Sequence, residues 1–586
     1  MSEKIVKGRD WAFIVYPESA PKNWREILDE THMRWVESPL HDKDFNPDGT
    51  FKKPHWHVML SADGPITLKA VEKIIEPLNV PAPQKVGSGR GMIRYFIHLD
   101  NPEKYQYSRD EIVAHGGADV ESYFELTKTN KISVMKDIIT YIYENEIDNY
   151  ADFLMICIQK SDEWFDVAIN NNTLAINKMI DYQKWAKDQD IISYDSYPTY
   201  DAPAYKPAFL YDLMRSLKHQ PFMLMESAPS QVNWQSYSPL KRPGQMAATE
   251  LQAVAHGADT VQFFQLKQAV GGSEKFHSAI IAHSQRTDTR AFRELADLGQ
   301  KLKEAGPTIL GSKTKAKVAI VFDWSNFWSY EYVDGITQDL NYVDSILDYY
   351  RQFYERNIPT DIIGVDDDFS NYDLVVAPVL YMVKAGLAEK INSYVEKGGH
   401  FVTTYMSGMV DSTDNVYLGG YPGPLKDVTG IWVEESDAMV LGQKVRVKMD
   451  DKEYETSLMC DLIHPNKAKV LASYADEFYA GTAAITENDY GKGKAWYVGT
   501  KLGHQGLTQL FKHIVLETGV ESLVCDSHKL EVTKRVTADG KKLYFVLNMS
   551  NEERELPNKF ADYEDILTGE KAKSSMKGWD VQVLTK

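Results

Sequence analysis

His55-Trp56-His57 puts two imidazoles at period-two spacing in a short apolar run that continues to Leu60. Side chains alternate along a strand, so both rings face one side of it. Two neutral imidazoles on one face can hold a divalent metal ion. A tyrosine nearby, Tyr95, could then attack a phosphodiester that the metal polarises, which a phenol with a pKa near ~10 cannot do unaided. A second group of residues implies different chemistry: Met225-Glu226-Ser227-Ala228-Pro229 sets a carboxylate directly after the apolar run Phe222–Met225. A barrel enzyme carries its catalytic groups at the carboxyl ends of strands.

Upstream of the histidine pair, Pro39-Leu40-His41-Asp42-Lys43-Asp44 leads into Asn46-Pro47-Asp48-Gly49. Proline presets φ and Asp-Gly accepts the positive φ of a tight turn, so the chain doubles back here. The turn carries His41 and Asp44 towards His55 and His57. Three imidazoles and a carboxylate suit Mn²⁺ or Mg²⁺, with zinc as an in-vitro substitute. Lys85, Arg90 and Arg94 flank a glycine-rich loop and are candidates for holding a DNA backbone. If residues 93–99 are helical, Tyr95 and His98 share a face at i, i+3. Tyr105 and Tyr107 are rival nucleophiles that rank below Tyr95.

On the stretches Ser38–Asp44, Lys53–Leu60 and Tyr95–His98, residues 10 to about 125 resemble the replication initiators of rolling-circle plasmids, members of the HUH endonuclease superfamily. The resemblance implies a nicking-joining enzyme acting on a single-stranded or hairpin plasmid origin. Tyr95 would be the nucleophile and His41, Asp44, His55 and His57 the ligands of Mn²⁺ or Mg²⁺.

The second group extends through Trp234, Arg242-Pro-Gly244, Ala255–Gln265 and Gly271–His277. On these residues the chain from about 190 to 586 resembles the carboxyl portion of glycoside hydrolase family 42 β-galactosidases. Such enzymes have a TIM barrel, a flavodoxin-like trimerisation domain and a small β domain, and need no cofactor. The resemblance implies Glu226 as nucleophile, with Trp234, Glu274 and His277 lining the sugar subsite. Leu266 stands where the family leads one to expect tryptophan. Residues 190–308, roughly 120 in all, are about half of the ~250 that a complete barrel takes, enough for about three strands. Retaining hydrolysis also needs a second carboxyl about 5 Å from the nucleophile. In that family it follows an asparagine on an earlier strand. The Asn-Glu pairs here are Asn145-Glu146, in a helical stretch, and Asn551-Glu552, in the terminal module; neither has the expected strand context.

Around these groups the elements alternate. Trp11–Tyr16 reads as a strand and Leu68–Glu76 as a helix stopped by Pro77; Ile132–Lys187 carries helical periodicity, including an apolar-periodic stretch from Tyr150 to Ile158. Strand-like runs at 191–194, 222–225 and 260–264 alternate with helices at 250–256 and 290–303. From Lys317–Phe322 a doubly wound sheet is expected, and from Lys529 an all-β module. The fold class is therefore multidomain α/β. It comprises an HUH-type α+β domain (1–125), a helical segment (126–189), a partial TIM barrel (190–310), a flavodoxin-like domain (315–526) and a small β domain (529–586).

Apolar residues at 43%, charged residues at 25% and a net charge of -19 describe a globular chain that does not coat nucleic acid over its whole surface. Three cysteines (Cys157, Cys460, Cys525), far apart and without CxxC spacing, fit a reducing cytosol and no structural zinc. With no apolar h-region and no bilayer-length run, the sequence expectation is a cytoplasmic location with no membrane partner.

The leading expectation is a chimeric chain: a live initiator fused to a truncated, acid-deficient β-galactosidase. The alternative is a retaining β-galactosidase with Glu226 as nucleophile and a replacement acid, for which residues 126–189 are one source. A third reading is a non-catalytic scaffold. Galactosides and further copies of the chain, as a trimer or higher oligomer, are the remaining expected partners.

Overall fold

The computed structural model describes residues 7–46, 49–99, 101, 104–120, 138, 141, 156, 157, 160, 164, 181–525 and 527–586. Pro47 and Asp48 of the expected turn, and most of the helical stretch from Ile132 including Tyr150–Met155, lie outside them. The chain divides into two compact units, residues 1–147 with 151–173, and residues 148–150 with 174–586.

The first unit is built on a five-stranded sheet. Its strands are β1 (Lys7–Val15), β2 (Arg34–Glu37), β3 (Trp56–Thr67), β4 (Gln84–Lys85) and β5 (Val113–His115), in the order β4-β1-β3-β2-β5. Alternation along β3 decides what faces what. Val58 and Leu60 bury on one side with Trp11, Phe13 and Trp35, under helices α1 (Trp24–Asp29) and α2 (Leu68–Ile75). Met59 buries on the other side with Ile93 and Phe96 of helix α3 (Gly89–Phe96). Being two residues from Met59, His57 shares the α3 side. Ser88 starts α3 by accepting the Gly91 N–H at 3.1 Å. The helix ends at Phe96, so the expectation that Tyr95 and His98 share a helical face is corrected: His98 lies beyond the helix at φ 59°. The two rings meet all the same, with centroids 5.2 Å apart.

The second unit opens with a three-stranded parallel sheet, β6 (Ser193–Asp195), β7 (Phe222–Glu226) and β8 (Ala258–Val261). Helices α4 (Tyr205–Ser216) and α5 (Gln245–Ala255) make the crossovers. Phe222, Leu224 and Ala258 pack with Ala208, Phe209 and Leu213 of α4 in the main core. Ser193, Asp195 and Met225 lie exposed.

Residues 318–502 form one eleven-stranded sheet. Five strands (360–363, 318–321, 374–377, 400–404 and 493–498) are parallel and follow the flavodoxin-like expectation. The rest corrects the expectation of a doubly wound sheet throughout. From 483–490 outwards the pairings turn antiparallel, because short hairpins such as Tyr490 to Gly493 replace helical crossovers. The chain ends in a five-stranded β module that begins at Glu531. Among the described residues, no helix is long and apolar enough to cross a membrane.

A buried charge network joins α4 to the neighbouring layers of this unit. Arg215 donates to Asp361 at 2.5 Å, to Asp212 at 2.8 Å and to the Thr360 carbonyl at 2.9 Å. His256 sits between Asp212 (2.9 Å) and Glu531 (2.8 Å). Gly257, at φ 119°, lets the chain turn against Arg215; a Cβ there would come within 2.6 Å of its Cδ.

Burial disfavours the charged imidazole of His256, but the two carboxylates outweigh burial and hold its pKa up to about 9, against an ordinary 6.5. The folded state therefore binds a proton that the unfolded chain has lost. The resulting stabilisation, on the order of 3 kcal/mol, is fully present below about pH 6.5 and disappears as pH rises through about 9. Urea titrations between pH 6.5 and 9.5 should show this alkaline loss in the native chain and a much flatter profile in His256→Gln. Equal slopes in the two proteins would remove His256 as its source.

Candidate functional sites

In the first unit, the sheet and α3 bring five polar side chains together. His41 is paired with His55 by a β-bridge. The His41, His55 and His57 donor atoms lie within 4.8 Å of one another, and so do those of His41, Asp44 and His98. All five residues are buried.

Three of the imidazoles are held by backbone carbonyls. His41 Nε2 meets the Phe96 carbonyl at 2.7 Å, His55 Nδ1 that of Lys53 at 2.8 Å and His98 Nδ1 that of Tyr105 at 2.8 Å. A carbonyl only accepts, so each of these nitrogens carries the proton and the other ring nitrogen keeps its lone pair. Those remaining atoms include His41 Nδ1 and His98 Nε2, which have no hydrogen-bond partner among the described residues and stand 3.5 and 3.7 Å from Asp44 Oδ2. Burial, partly offset by the Phe96 carbonyl and Asp44, lowers the His41 pKa to about 4; burial and then the His41 ring lower that of His57 to about 2. These two rings are neutral at physiological pH, as metal ligands must be. His98 is a member of this cluster that sequence reading did not assign to it, although the spacing Tyr95-x-x-His98 was its signal.

Tyr95 reaches this cluster, with its ring centroid 5.4 Å from that of His57 and its hydroxyl 3.2 Å from Lys104 Nζ. Tyr107 is structural: it donates to Asp44 at 3.4 Å and accepts from the Lys43 N–H at 3.0 Å, and burial pushes its pKa up to about 12. Tyr105 is exposed and bonded to Lys43 Nζ at 2.9 Å. Lys85 lies exposed on β4, while Arg90 and Arg94 lie on α3.

In the second unit, Glu226 closes β7. Tyr197, two residues beyond β6, donates its hydroxyl to Glu226 Oε2 at 2.9 Å. Burial and then this bond raise the phenol's pKa. The Tyr197 ring also packs edge-on against Trp234 (5.5 Å) and His277 (5.8 Å). Glu274 caps the same turn, its carbonyl accepting the His277 N–H at 2.9 Å. Glu226, Trp234 and His277 are thus gathered around one residue, Tyr197, that sequence reading passed over; the run Tyr194-Asp-Ser-Tyr197 after a strand was its signal. Leu266 is 64% exposed and Trp234 54%. Asn145-Glu146 lies outside the described residues. Asn551 accepts the Trp579 indole N–H at 2.8 Å, and Glu552 pairs with Arg554.

Comparison with known proteins places this second site in a family. The Beta-galactosidase family matches residues 144–305, the Beta-galactosidase trimerisation domain 316–521 and the Beta-galactosidase C-terminal domain 529–586. The chain is 84% identical over 427 residues to the β-galactosidase LacZ of Lactobacillus acidophilus, covering 73% of this chain and 64% of that protein. It is 42% identical over 451 residues to BgaP of a Planococcus species, covering 72% of this chain and 67% of the relative. The crystal structure of a β-galactosidase from Bacillus circulans sp. alkalophilus superposes with TM-score 0.67 at 42% identity, over 70% of this chain and 62% of that one. The chain belongs to the glycoside hydrolase family 42 β-galactosidases. It spans a little under two thirds of the length of the first of these relatives.

Residues 3–121 match a further family, the plasmid replication protein origin binding domain. The leading expectation, a chain that is chiefly a DNA nicking-joining enzyme with a dead glycosidase behind it, is nevertheless overturned. Relatives of high identity over nearly three quarters of the chain are β-galactosidases. The match to an origin binding domain concerns residues 3–121 alone, the stretch that carries Lys85, Arg90, Arg94 and Tyr95.

Proposed function

We propose that this protein hydrolyses terminal β-D-galactosides with retention of configuration, with Glu226 as nucleophile and Trp234, Glu274 and His277 around the sugar. The observation that carries this reading is the placement of Glu226 at the carboxyl end of a parallel strand, held by Tyr197 at 2.9 Å within the family-matched segment. A hydroxyl that donates to the carboxylate leaves the other oxygen, Oε1, available to attack an anomeric carbon. The match to a trimerisation domain supports assembly as a trimer. Leu418, Leu441 and Phe478, each more than 80% exposed, offer apolar surface for it.

The test is covalent. A 2-deoxy-2-fluoro-β-galactosyl fluoride should label the peptide that contains Glu226, raising its mass by one fluorosugar. Absence of label on that peptide, with the protein folded, would overturn the assignment.

For the first unit, we propose an HUH-type fold whose buried cluster binds a divalent cation, Mn²⁺ or Mg²⁺, through His41, Asp44, His55 and His57. The carbonyl-fixed tautomers support this. Bound there, such an ion would act as a Lewis acid. His57→Ala should weaken Mn²⁺ binding by calorimetry about 10- to 100-fold, a loss typical of a damaged ligand shell. Unchanged affinity would exclude the cluster as the site.

A further inference from the structure

The second unit carries a further cleft, of about 850 Å³, whose lining leaves out Glu226, Trp234, Glu274 and His277. It is walled by the loops that follow β6 and β7, by α5, and by residues of the C-terminal β module that include Asn551 and Trp579. Packing fixes these walls. Met246, Leu251 and Val254 of α5 bury with Leu543, Phe545 and Val583 of the module. Gly244 leads into α5 at φ 81°, and a Cβ there would lie 3.3 Å from the Trp579 Cβ, so helix and module meet with no side chain between them. Gln235 Nε2 ties the two loops together by donating to the Tyr197 and Pro198 carbonyls at 3.2 and 3.1 Å.

The lining mixes flat apolar faces with hydrogen-bonding groups. Tyr200 and Tyr237 are 55% and 69% exposed, and their rings meet edge-on with centroids 5.9 Å apart. Trp579 is half-buried, and its indole N–H donates to Asn551 Oδ1 at 2.8 Å, which orients the ring. The Gln231 amide and the Arg242 guanidinium have no side-chain partner among the described residues. Glu250 borders the same cleft and is 1% exposed. Its Oε1 accepts the Ser227 hydroxyl at 2.5 Å, while Oε2 has no partner among the described residues. Lys241 is taken by the Ala228 carbonyl at 2.6 Å and by Glu250 at 3.5 Å, so the lining concentrates no positive charge for a polyanion.

A sugar ring presents a C–H face that an aromatic ring can cover and a rim of hydroxyls that both donate and accept. Tyrosine, tryptophan, amide and guanidinium groups on one wall match both parts. The volume lies within the range of about 300–1,000 Å³ that ligand sites span. We propose that this cleft is a second, non-catalytic saccharide site, which holds a neutral galacto-oligosaccharide apart from Glu226. That the ligand is a neutral oligosaccharide rests on the lining; that its sugar is galactose rests on the hydrolysis proposed above.

The test is calorimetric titration of β-linked galactotetraose into Glu226→Gln, a variant in which the ligand is not turned over. Adding Tyr200→Ala and Tyr237→Ala should weaken binding at the cleft about tenfold, the worth of two lost aromatic contacts. Adding Trp234→Ala instead should leave that binding event unchanged. Both tyrosines are more than half exposed, so their truncation spares the core, and an unchanged urea midpoint checks this. Saturation with galactotetraose should also slow amide exchange across Tyr237–Gln245 and Lys577–Asp580, which a merely structural role of the rings would not produce. No binding, binding that Trp234→Ala alone weakens, or tighter binding of inorganic pyrophosphate at the cleft would overturn the assignment. If cellotetraose binds there and galactotetraose does not, the saccharide site stands and its galactose specificity falls. Fluorosugar labelling decides the role of Glu226 separately, so the two failures are told apart.

Discussion

Glu226→Gln is expected to lower β-galactoside turnover by on the order of 10⁴-fold or more, because the covalent intermediate cannot form without the carboxylate. Glutamine keeps the shape and can still accept the Tyr197 hydroxyl, so binding should change little and the loss should fall on kcat. Steady-state rates with a chromogenic galactoside measure it directly. The smaller Glu226→Gly adds a signature that simple misfolding cannot mimic. Azide admitted to the vacated space attacks the anomeric carbon from the nucleophile's side and gives the α-galactosyl azide. Retained turnover in Glu226→Gln would mean that another group forms the intermediate.

Arg215→Met should be the most destabilising single change in the second unit, by about 3–5 kcal/mol. The guanidinium is buried and is shared by two buried carboxylates, Asp361 and Asp212. Removing it leaves both charges with reduced compensation: Asp361 keeps the Tyr372 hydroxyl at 2.9 Å, and Asp212 keeps Tyr350 at 2.7 Å and His256. The Arg215–Asp361 contact ties α4 to strand 360–363, so its loss should loosen the layer beneath β6 and β7. Urea midpoints followed by tryptophan fluorescence would show the shift. Adding Asp212→Asn and Asp361→Asn to the variant should recover much of the stability, since the penalty lies in unpaired buried charge rather than in lost packing. No recovery would point to packing.

Much of the candidate chemistry was legible in the sequence because it rests on short-range geometry. A period-two pattern puts His55 and His57 on one face, and that face is the one towards α3. An apolar run followed by Glu226 gives a carboxylate at a strand end, and its chemistry follows from family resemblance. The apolar runs at 374–377 and 542–547 coincide with strands because buried strands leave an unbroken apolar record. The antiparallel half of the large sheet was not legible as such, since a strand's own residues say little about the direction of its neighbour.

The relative weight of the two chemistries was illegible for a related reason. A metal-site motif concentrates its signal in a few short stretches and looks complete there, whereas the identity of the second unit is spread over hundreds of positions. The sequence by itself determined the chemical groups on offer: imidazoles in alternation, a strand-end glutamate, aromatic residues around it and an apolar pattern able to bury them. Tertiary structure alone decided which groups meet. His98 joins Asp44 across 54 residues and Tyr197 reaches Glu226 across 29. Those meetings depend on strand register and on the close of a helix, and both are fixed by packing between distant segments rather than by any residue's own preference.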